Sequence, residues 1–222
     1  MNGARAAVET HGLTRRFGPP RPALDDISLA LPAGAIVGVT GPNGSGKTTL
    51  LGILATLVAP SSGRAAVFGH DVTRDARAVR RLVGVAPRSD TTHYARLGAG
   101  DNLRLFASLH GLAGVETRRR IDELLERFGL ADIADRPLQA CSTGLRQRVT
   151  LIRALLHEPR VLLLDEPSLS LDQGGADVLA AILASEWRGR PDRVVIAAAP
   201  RAQDLGFACD LRIGLCEGRI CA

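Results

Sequence analysis

The strongest chemical signal in the chain is a short glycine-rich segment that contains a lysine and a threonine. Residues 41–48 read GPNGSGKT, which matches the phosphate-loop pattern G-x-x-x-x-G-K-[ST]. A strand-like apolar run, Ala35 to Val39, precedes this segment, and a helix-like run, Thr49 to Leu57, follows it. Glycine lets the backbone turn its N–H groups inward, and the helix N-terminus adds positive charge. The segment is therefore predicted to bind phosphate groups, and a glycine-rich turn without a ligand is the less favoured alternative.

The amino-acid composition singles out the lysine of this segment. Among 28 basic residues Lys47 is the one lysine, and the remaining 27 are arginines. A slim ammonium group fits into a ring of backbone amides that excludes a planar guanidinium, which gives a physical reason for a lysine at this position. Lys47 is predicted to reach the β- and γ-phosphates of a nucleotide, and the hydroxyl of Thr48 is predicted to bind Mg²⁺.

A second candidate element is an apolar run that ends in two acids. Residues 161–164 read VLLL, as expected for a buried parallel strand, and Asp165 and Glu166 follow directly. Asp165 is predicted to orient Mg²⁺, and Glu166 is predicted to polarise the attacking water as a general base. A solvent-exposed strand end is the alternative, and the phosphate loop upstream makes it less favoured.

Between these two elements lies a helix start. Ser142, Thr143 and Gly144 open a stretch in which apolar residues recur at helical spacing, namely Leu145, Val149, Ile152 and Leu156. The hydroxyl of Ser142 is predicted to cap this helix, whose first N–H groups can point at an anion. Taken alone, such a segment is only a capping signal.

Together these motifs resemble the nucleotide-binding subunit of ATP-binding cassette (ABC) transporters, and the resemblance covers essentially the whole chain. GPNGSGKTT is similar to the Walker A motif, LLLDEP to Walker B, and CSTGL to a degenerate form of the LSGGQ signature. SLSLD, at residues 168–172, occupies the D-loop position. The pattern is most similar to the ATPases of drug and polysaccharide exporters.

The resemblance implies ATP and Mg²⁺ as cofactors and assigns the site residues. Lys47 and Glu166 would be catalytic, and Thr48 and Asp165 would bind the metal. The implied nucleotide-binding positions in the phosphate loop are Gly41, Pro42, Asn43, Gly44, Ser45, Gly46, Lys47, Thr48 and Thr49.

Further positions are implied at the adenine and in a partner's site. The ring of Phe17 would stack on adenine, and a half-buried strand residue is the alternative interpretation of Phe17. In the family two such domains pair head to tail, so Ser142, Thr143 and Gly144 would contact the ATP of a second ABC ATPase domain in trans. Separate transmembrane permease subunits are the other implied partner, which places the chain on the cytoplasmic face of the cell membrane.

Two positions depart from the family pattern. The glutamine expected after the strand-like run Val83 to Pro87 is replaced by Arg88, and the expected switch histidine is replaced by Pro200. The last histidine of the chain is His157, so no small register shift restores one. Arg88 would repel Mg²⁺ unless it pairs with Glu166 or with a phosphate oxygen, and a position toward solvent or a partner is a further alternative.

The elements that must position these residues predict an α/β fold of the P-loop NTPase type. Strands at Val37, Val83, Val161 and Val194 are expected to form a mostly parallel core sheet with helices on both faces. Residues 7–31 are expected to add an antiparallel β subdomain, and residues 211–216 and 219–221 two short final strands. Residues 1–222 are predicted to be one ABC ATPase domain, with a helical subdomain inserted at about 99–157.

The overall composition excludes several classes of protein. The 222 residues are 45% hydrophobic and 23% charged, which argues against disorder, and no apolar run reaches the roughly 20 residues of a membrane-spanning helix. The net charge of +5 comes from scattered arginines with seven aromatic residues, so no specific nucleic-acid partner is expected. The four cysteines are expected to be free thiols in a cytoplasmic protein.

Three hypotheses follow for the function. In the first, the chain binds MgATP, hydrolyses it slowly and powers a membrane transporter, most simply an exporter. In the second, the chain is a degenerate regulatory half of a heterodimer that offers Ser142 and Gly144 to a competent partner. In the third and least favoured, it is an ABC ATPase without a role in transport.

Overall fold

The computed structural model describes residues 6–88 and 93–221 of the chain. Its strands are β1 (Ala6–Arg15), β2 (Leu24–Pro32), β3 (Ile36–Thr40), β4 (Ser62–Val67), β5 (His70–Asp71), β6 (Val83–Ala86), β7 (Val161–Asp165), β8 (Val194–Ala199), β9 (Leu211–Cys216) and β10 (Arg219–Cys221). Its helices are α1 (Lys47–Leu54), α2 (Ala76–Leu82), α3 (Ala99–Leu109), α4 (Gly114–Arg127), α5 (Thr143–Leu155) and α6 (Gln173–Ile182). A π-helical turn, Leu183–Trp187, extends α6.

The central sheet has six strands in the order β10-β9-β3-β8-β7-β6, and all neighbours are parallel except the β9–β10 hairpin. The predicted, mostly parallel core sheet is thus confirmed. In its register Thr40 pairs with Ala199, and Asp165 pairs with Ala198. The carboxyl ends of β3, β7 and β8 therefore meet at one edge of the sheet, where the predicted site residues follow.

The buried strands are apolar throughout because each face of the sheet covers its own core. Val161 and Leu163 belong to a core that also contains residues of α1 and the N-terminal sheet. Leu162 and Leu164 belong to a second core with residues of α3, α4, α5 and α6. Successive side chains of a strand point to opposite faces, so a strand covered on both sides carries a continuous apolar run.

The N-terminal sheet is antiparallel and has the order β2-β1-β4-β5. The predicted N-terminal antiparallel subdomain is therefore confirmed for β1 and β2. The sequence did not predict β4 and β5, whose residues lack a clear apolar alternation.

Among the described residues, no helix combines the length and the apolar character that a membrane span requires.

One expectation about the cysteines is wrong. Cys216 and Cys221 form a disulfide across the β9–β10 hairpin, whereas Cys141 and Cys209 are free. The turn residues Glu217 and Gly218 both have positive φ angles, 47° and 80°, which suits a two-residue hairpin. This turn brings the two cysteines to the same face of the hairpin, so the strand register and not the spacing alone decides the pairing.

Candidate functional site

The phosphate loop is shaped by glycines that other residues could not replace. Gly41 has φ 153°, and a Cβ atom there would lie 1.9 Å from the carbonyl oxygen of Leu215 in β9. Gly46 has φ 104°, and a Cβ atom there would lie 2.4 Å from the carbonyl oxygen of Ala23. The loop is thus held between the hairpin and the segment before β2, and α1 begins directly after it at Lys47.

Lys47 is buried within this loop. Its side chain, on a residue only 5% exposed, donates from Nζ to the carbonyl oxygens of Gly41, 2.7 Å, and Pro42, 3.0 Å. Burial lowers the pKa of Lys47, and the nearby carboxylates of Glu166 and Asp165 act against that decrease. The ammonium group is therefore fixed by backbone oxygens at the start of the loop, where its three donors can be transferred to phosphate oxygens.

The two residues predicted to hold the metal are in contact. Thr48 donates from Oγ1 to Asp165 Oδ2 at 2.8 Å, which joins the start of α1 to the end of β7. The other carboxylate oxygen, Asp165 Oδ1, is buried and has no hydrogen-bond partner among the described residues. A hydroxyl beside an unpartnered buried carboxylate oxygen fits a hard cation such as Mg²⁺, which prefers oxygen ligands.

Glu166 directly follows β7 in an uncommon backbone conformation. Its φ angle is 48°, its N–H donates to the carbonyl oxygen of Ala198 at 2.8 Å, and the residue is 8% exposed. A non-glycine residue in the left-handed region costs about 1–2 kcal/mol, so neighbouring contacts must hold it there. The backbone of Glu166 is thus tied to β8, and its side chain lines the same cavity as Asn43 of the phosphate loop.

Arg88 reaches this carboxylate. Its Nη1 lies 3.1 Å from Glu166 Oε1, and the glutamate side chain is 9% exposed whereas that of Arg88 is 51% exposed. Of the alternatives left open by the sequence, the structure shows the one in which Arg88 pairs with Glu166. The carboxylate predicted to act as general base is therefore held in an ion pair with a permanently charged guanidinium.

Pro200 lies directly after β8 and still contacts the phosphate loop. Its carbonyl oxygen accepts a hydrogen bond from the N–H of Gly41 at 3.2 Å. Proline lacks an N–H but keeps its carbonyl, so the replacement leaves this backbone contact intact. Position 200 therefore has no side chain that donates or accepts a hydrogen bond.

A cavity of about 520 Å³ opens at this end of the loop. Its lining includes predicted site residues, Asn43, Arg88, Glu166 and Pro200, together with Ser168, Leu169, Arg201, Gln203 and Asp204.

The site can be divided into two parts. We call residues 41–48 with Asp165 the phosphate-loop corner, and Arg88, Glu166, Pro200, Arg201 and Asp204 the switch corner. Sequence reasoning missed Arg201 and Asp204. The available signal was their i, i+3 spacing directly after the replaced histidine position.

The remaining predicted residues lie outside this cavity. Phe17 follows β1 and is 64% exposed, with the guanidinium of Arg15 lying 4.4 Å from its ring centroid. The half-buried strand alternative for Phe17 is therefore wrong, and its ring is accessible for stacking.

Ser142 caps α5 as predicted, because its Oγ accepts a hydrogen bond from Leu145 N at 3.3 Å. Ser142 and Thr143 are exposed at this helix start, and Gly144 is partly exposed.

The fold and the site together define a P-loop nucleotide-binding domain of the α/β class. The family model described as "ABC transporter" matches residues 24–169, about two thirds of the chain, and the chain belongs to that family. The ABC transporter ATP-binding protein NatA of Bacillus subtilis is 33% identical over 198 residues, which cover 89% of this chain and 80% of NatA. The recognition of an ABC-type ATP-binding subunit from the sequence is thus confirmed.

Other similar proteins are resistance proteins and solved ATP-binding subunits. The daunorubicin resistance ATP-binding protein DrrA3 of Streptomyces coeruleorubidus is 44% identical over 172 residues, 78% of this chain and 54% of that protein. The chain thus spans about half the length of this relative. A solved "ATP binding subunit of ABC transporter" has a TM-score of 0.83 at 26% identity, covering 97% of this chain and 88% of its own. The predicted fold class is confirmed.

Proposed function

We propose that the chain is the ATP-binding and ATP-hydrolysing subunit of a drug-exporter-type ABC transporter and that its own site hydrolyses ATP slowly. The observation that carries this proposal is the ion pair between Arg88 and Glu166 beside an otherwise complete phosphate-loop corner. The similarity to proteins named for daunorubicin resistance supports the exporter class. We propose one cassette for residues 1–222, with the helical subdomain at about 99–157.

Binding of the nucleotide rests on the phosphate-loop corner. Lys47 would exchange its two backbone carbonyl partners for phosphate oxygens, a contact between opposite charges in a buried loop. The exposed ring of Phe17 would stack on the base. Thr48 and Asp165 would hold Mg²⁺, which neutralises phosphate charge when it is bound.

Hydrolysis needs a base that can take a proton from water, and the switch corner obstructs that base. Arg88 contacts one oxygen of Glu166, so this oxygen is engaged in an ion pair where the attacking water would need to bind. Pro200 offers no side-chain donor to the γ-phosphate. The loss of one positioned acid, base or transition-state donor costs about 10²- to 10⁴-fold in rate, while binding depends on groups that remain in place.

The partners of the chain follow from surfaces that its own contacts leave open. The exposed start of α5 would contact the ATP of a second ABC ATPase domain, because a helix N-terminus is suited to an anion. A groove between α1 and α3, lined by Leu57, Phe106 and Arg153 among others, would receive the transmembrane permease subunits. Leu57 is 72% exposed at this groove, as expected for a contact surface. These partners would hold the chain at the cytoplasmic face of the membrane.

The test is the steady-state ATP turnover of the chain with and without its membrane partner. We expect a low rate from the wild type and an increase of at least about tenfold from Arg88→Gln combined with Pro200→His, since each restores a group that assists the water. Arg190→Gln, an exposed arginine at the opposite edge of the sheet, is the matched control for the first change. A high wild-type rate that the double variant does not raise would refute slow hydrolysis.

A second candidate function is the degenerate half of a heterodimer. The same Arg88–Glu166 pair favours it, because the α5 cap at Ser142 is intact while the chain's own base is neutralised. Glu166→Gln in the assembled complex separates the two candidates. A large loss of turnover supports the first, and an unchanged turnover, with loss on Ser142→Ala, supports the second.

A further inference from the structure

Two cationic side chains line the cavity at the switch corner, and one of them has no role in the function proposed above. Arg88 is paired with Glu166. Arg201, in contrast, lines the same cavity as Asn43 of the phosphate loop and Glu166, and its guanidinium contacts only the neighbouring Asp204 within the described part of the chain.

The position of Arg201 is fixed by its backbone and not by its side chain. The residue before it, Pro200, accepts a hydrogen bond from Gly41 N at 3.2 Å, so the main chain at 200–201 lies against the phosphate loop. Arg201 N donates to Asp204 Oδ2 at 3.1 Å and starts a short 3₁₀ helix. The side chain itself is 71% exposed, which leaves its guanidinium able to turn into the cavity.

The present partner of Arg201 binds it weakly. Its Nε and Nη2 contact the two carboxylate oxygens of Asp204 at 3.0 and 3.1 Å, but exposed pairs of this kind are weak because water and salt screen the charges. A phosphate group in a partly enclosed cavity offers the planar guanidinium a bidentate, charge-assisted contact instead. The backbone N–H of Arg201 continues to bind Asp204, which lowers the cost of the exchange.

The identity of the phosphate group follows from the neighbours of the cavity. Glu166 marks the side on which water would attack, and the attacked group is the terminal phosphate of ATP. An ADP molecule held by the same loop would place no phosphate group there. A cation that reaches this cavity therefore distinguishes ATP from ADP.

We propose that Arg201 binds the terminal phosphate of ATP and makes the site prefer ATP to ADP, in place of the side chain that Pro200 lacks. This inference rests on the proposed function, since it requires that ATP binds at the phosphate loop. Arg201 is in this sense a specificity-determining residue, and it leaves the contacts of Lys47 unchanged.

The test compares the dissociation constants of a non-hydrolysable ATP analogue and of ADP, both with Mg²⁺, by calorimetry on the whole chain. Arg201→Ala should weaken binding of the ATP analogue by about tenfold and change ADP binding by less than about twofold, because the charge-assisted contact is made only with the terminal phosphate. Arg190→Ala removes the same charge from an exposed position beside Gly34, at the opposite edge of the sheet, and should change neither constant.

A second variant distinguishes the loss of the Arg201 contact from a loss of local structure. Asp204→Asn releases the guanidinium and removes a negative charge from the cavity, so it should strengthen binding of the ATP analogue, whereas local unfolding would weaken it. The inference is overturned if Arg201→Ala weakens both nucleotides equally or neither. If the wild type binds neither nucleotide, the proposed function fails together with it.

Discussion

The two corners of the nucleotide site lie at the same sheet edge but differ in what holds them together. In the phosphate-loop corner the contacts are backbone contacts or pairs of short side chains, such as Lys47 on two carbonyl oxygens and Thr48 on Asp165. In the switch corner long charged side chains pair with one another, Arg88 with Glu166 and Arg201 with Asp204. Side chains can change in the second corner without a change in the backbone that supports the first.

Pro200 shows this separation most directly. It occupies the position of a side chain expected to act on the γ-phosphate, yet its carbonyl still accepts the hydrogen bond of Gly41. Residues that shape the cradle therefore contribute through their main chain, and residues that act on the water contribute through their side chains. The main-chain contacts of the phosphate-loop corner and the side chains of the switch corner can thus be changed independently, and three measurements can sharpen or break this comparison.

The largest effect is expected from Gly41→Ala. The added Cβ would lie 1.9 Å from the carbonyl oxygen of Leu215, so the loop and the hairpin must move apart. We expect a loss of about 4 kcal/mol in the free energy of unfolding without nucleotide, measured by chemical denaturation. Gly44→Ala is the control in the same loop, because its Cβ would meet no heavy atom within 4 Å. It should cost only about 1–2 kcal/mol, and equal losses would contradict the role of the hairpin.

The next effect distinguishes the two corners by affinity. Lys47→Ala should weaken MgATP binding by about 10- to 100-fold, because a buried charged donor to phosphate is lost. Arg88→Ala should change the dissociation constant by less than about threefold, since Arg88 pairs with Glu166. Calorimetry on both variants measures the contrast. A comparable loss of affinity from Arg88→Ala would mean that Arg88 itself binds the nucleotide and is not held by Glu166.

The smallest effect concerns the strand that leads to Arg88. His157 lies 3.1 Å from the carbonyl oxygen of Val83 at the start of β6, and its ring stacks on that of His110. Burial, together with the neighbouring His110 and against the hydrogen bond to Val83, lowers the pKa of His157 to about 4. The unfolded chain therefore takes up a proton near pH 6.5 that the folded chain refuses until about pH 4, so stability falls as the pH falls through this window.

Between pH 7 and pH 5 this group should remove about 2 kcal/mol from the free energy of unfolding. Chemical denaturation at both pH values, for the wild type and for His157→Gln, isolates the contribution of this side chain. The variant should lose less stability on acidification than the wild type. Identical losses of stability in the two proteins would contradict the lowered pKa of His157 in the folded chain.

Much of the fold follows from local pattern. The runs at 161–164 and 194–199 predict buried strands because both of their faces are covered by apolar cores. The glycine positions of the phosphate loop predict its conformation because few other residues adopt positive φ angles. The family pattern then indicates which side chains belong to the site.

The features that the sequence did not predict depend on contacts between segments that are distant in the chain, or on a choice between partners that the local sequence does not distinguish. The partner of Arg88 could be Glu166, a phosphate or solvent, and only the packing of β6 beside β7 decides this. The Arg201–Asp204 pair lies in a short 3₁₀ helix without a motif of its own. The disulfide requires the register of the final hairpin, in which Cys221 lies opposite Gly214.

The β9–β10 hairpin also has a consequence for the order of assembly. The N–H of Gly218 donates to the carbonyl oxygen of Ser45, and Thr40 Oγ1 lies 3.5 Å from the carbonyl oxygen of Ile213, 173 positions away. Contacts between such distant segments form late, because a long stretch of chain must be ordered first. On the ribosome, the phosphate loop emerges long before the residues that support it. A newly made chain therefore acquires its nucleotide pocket only after the β9–β10 hairpin has emerged.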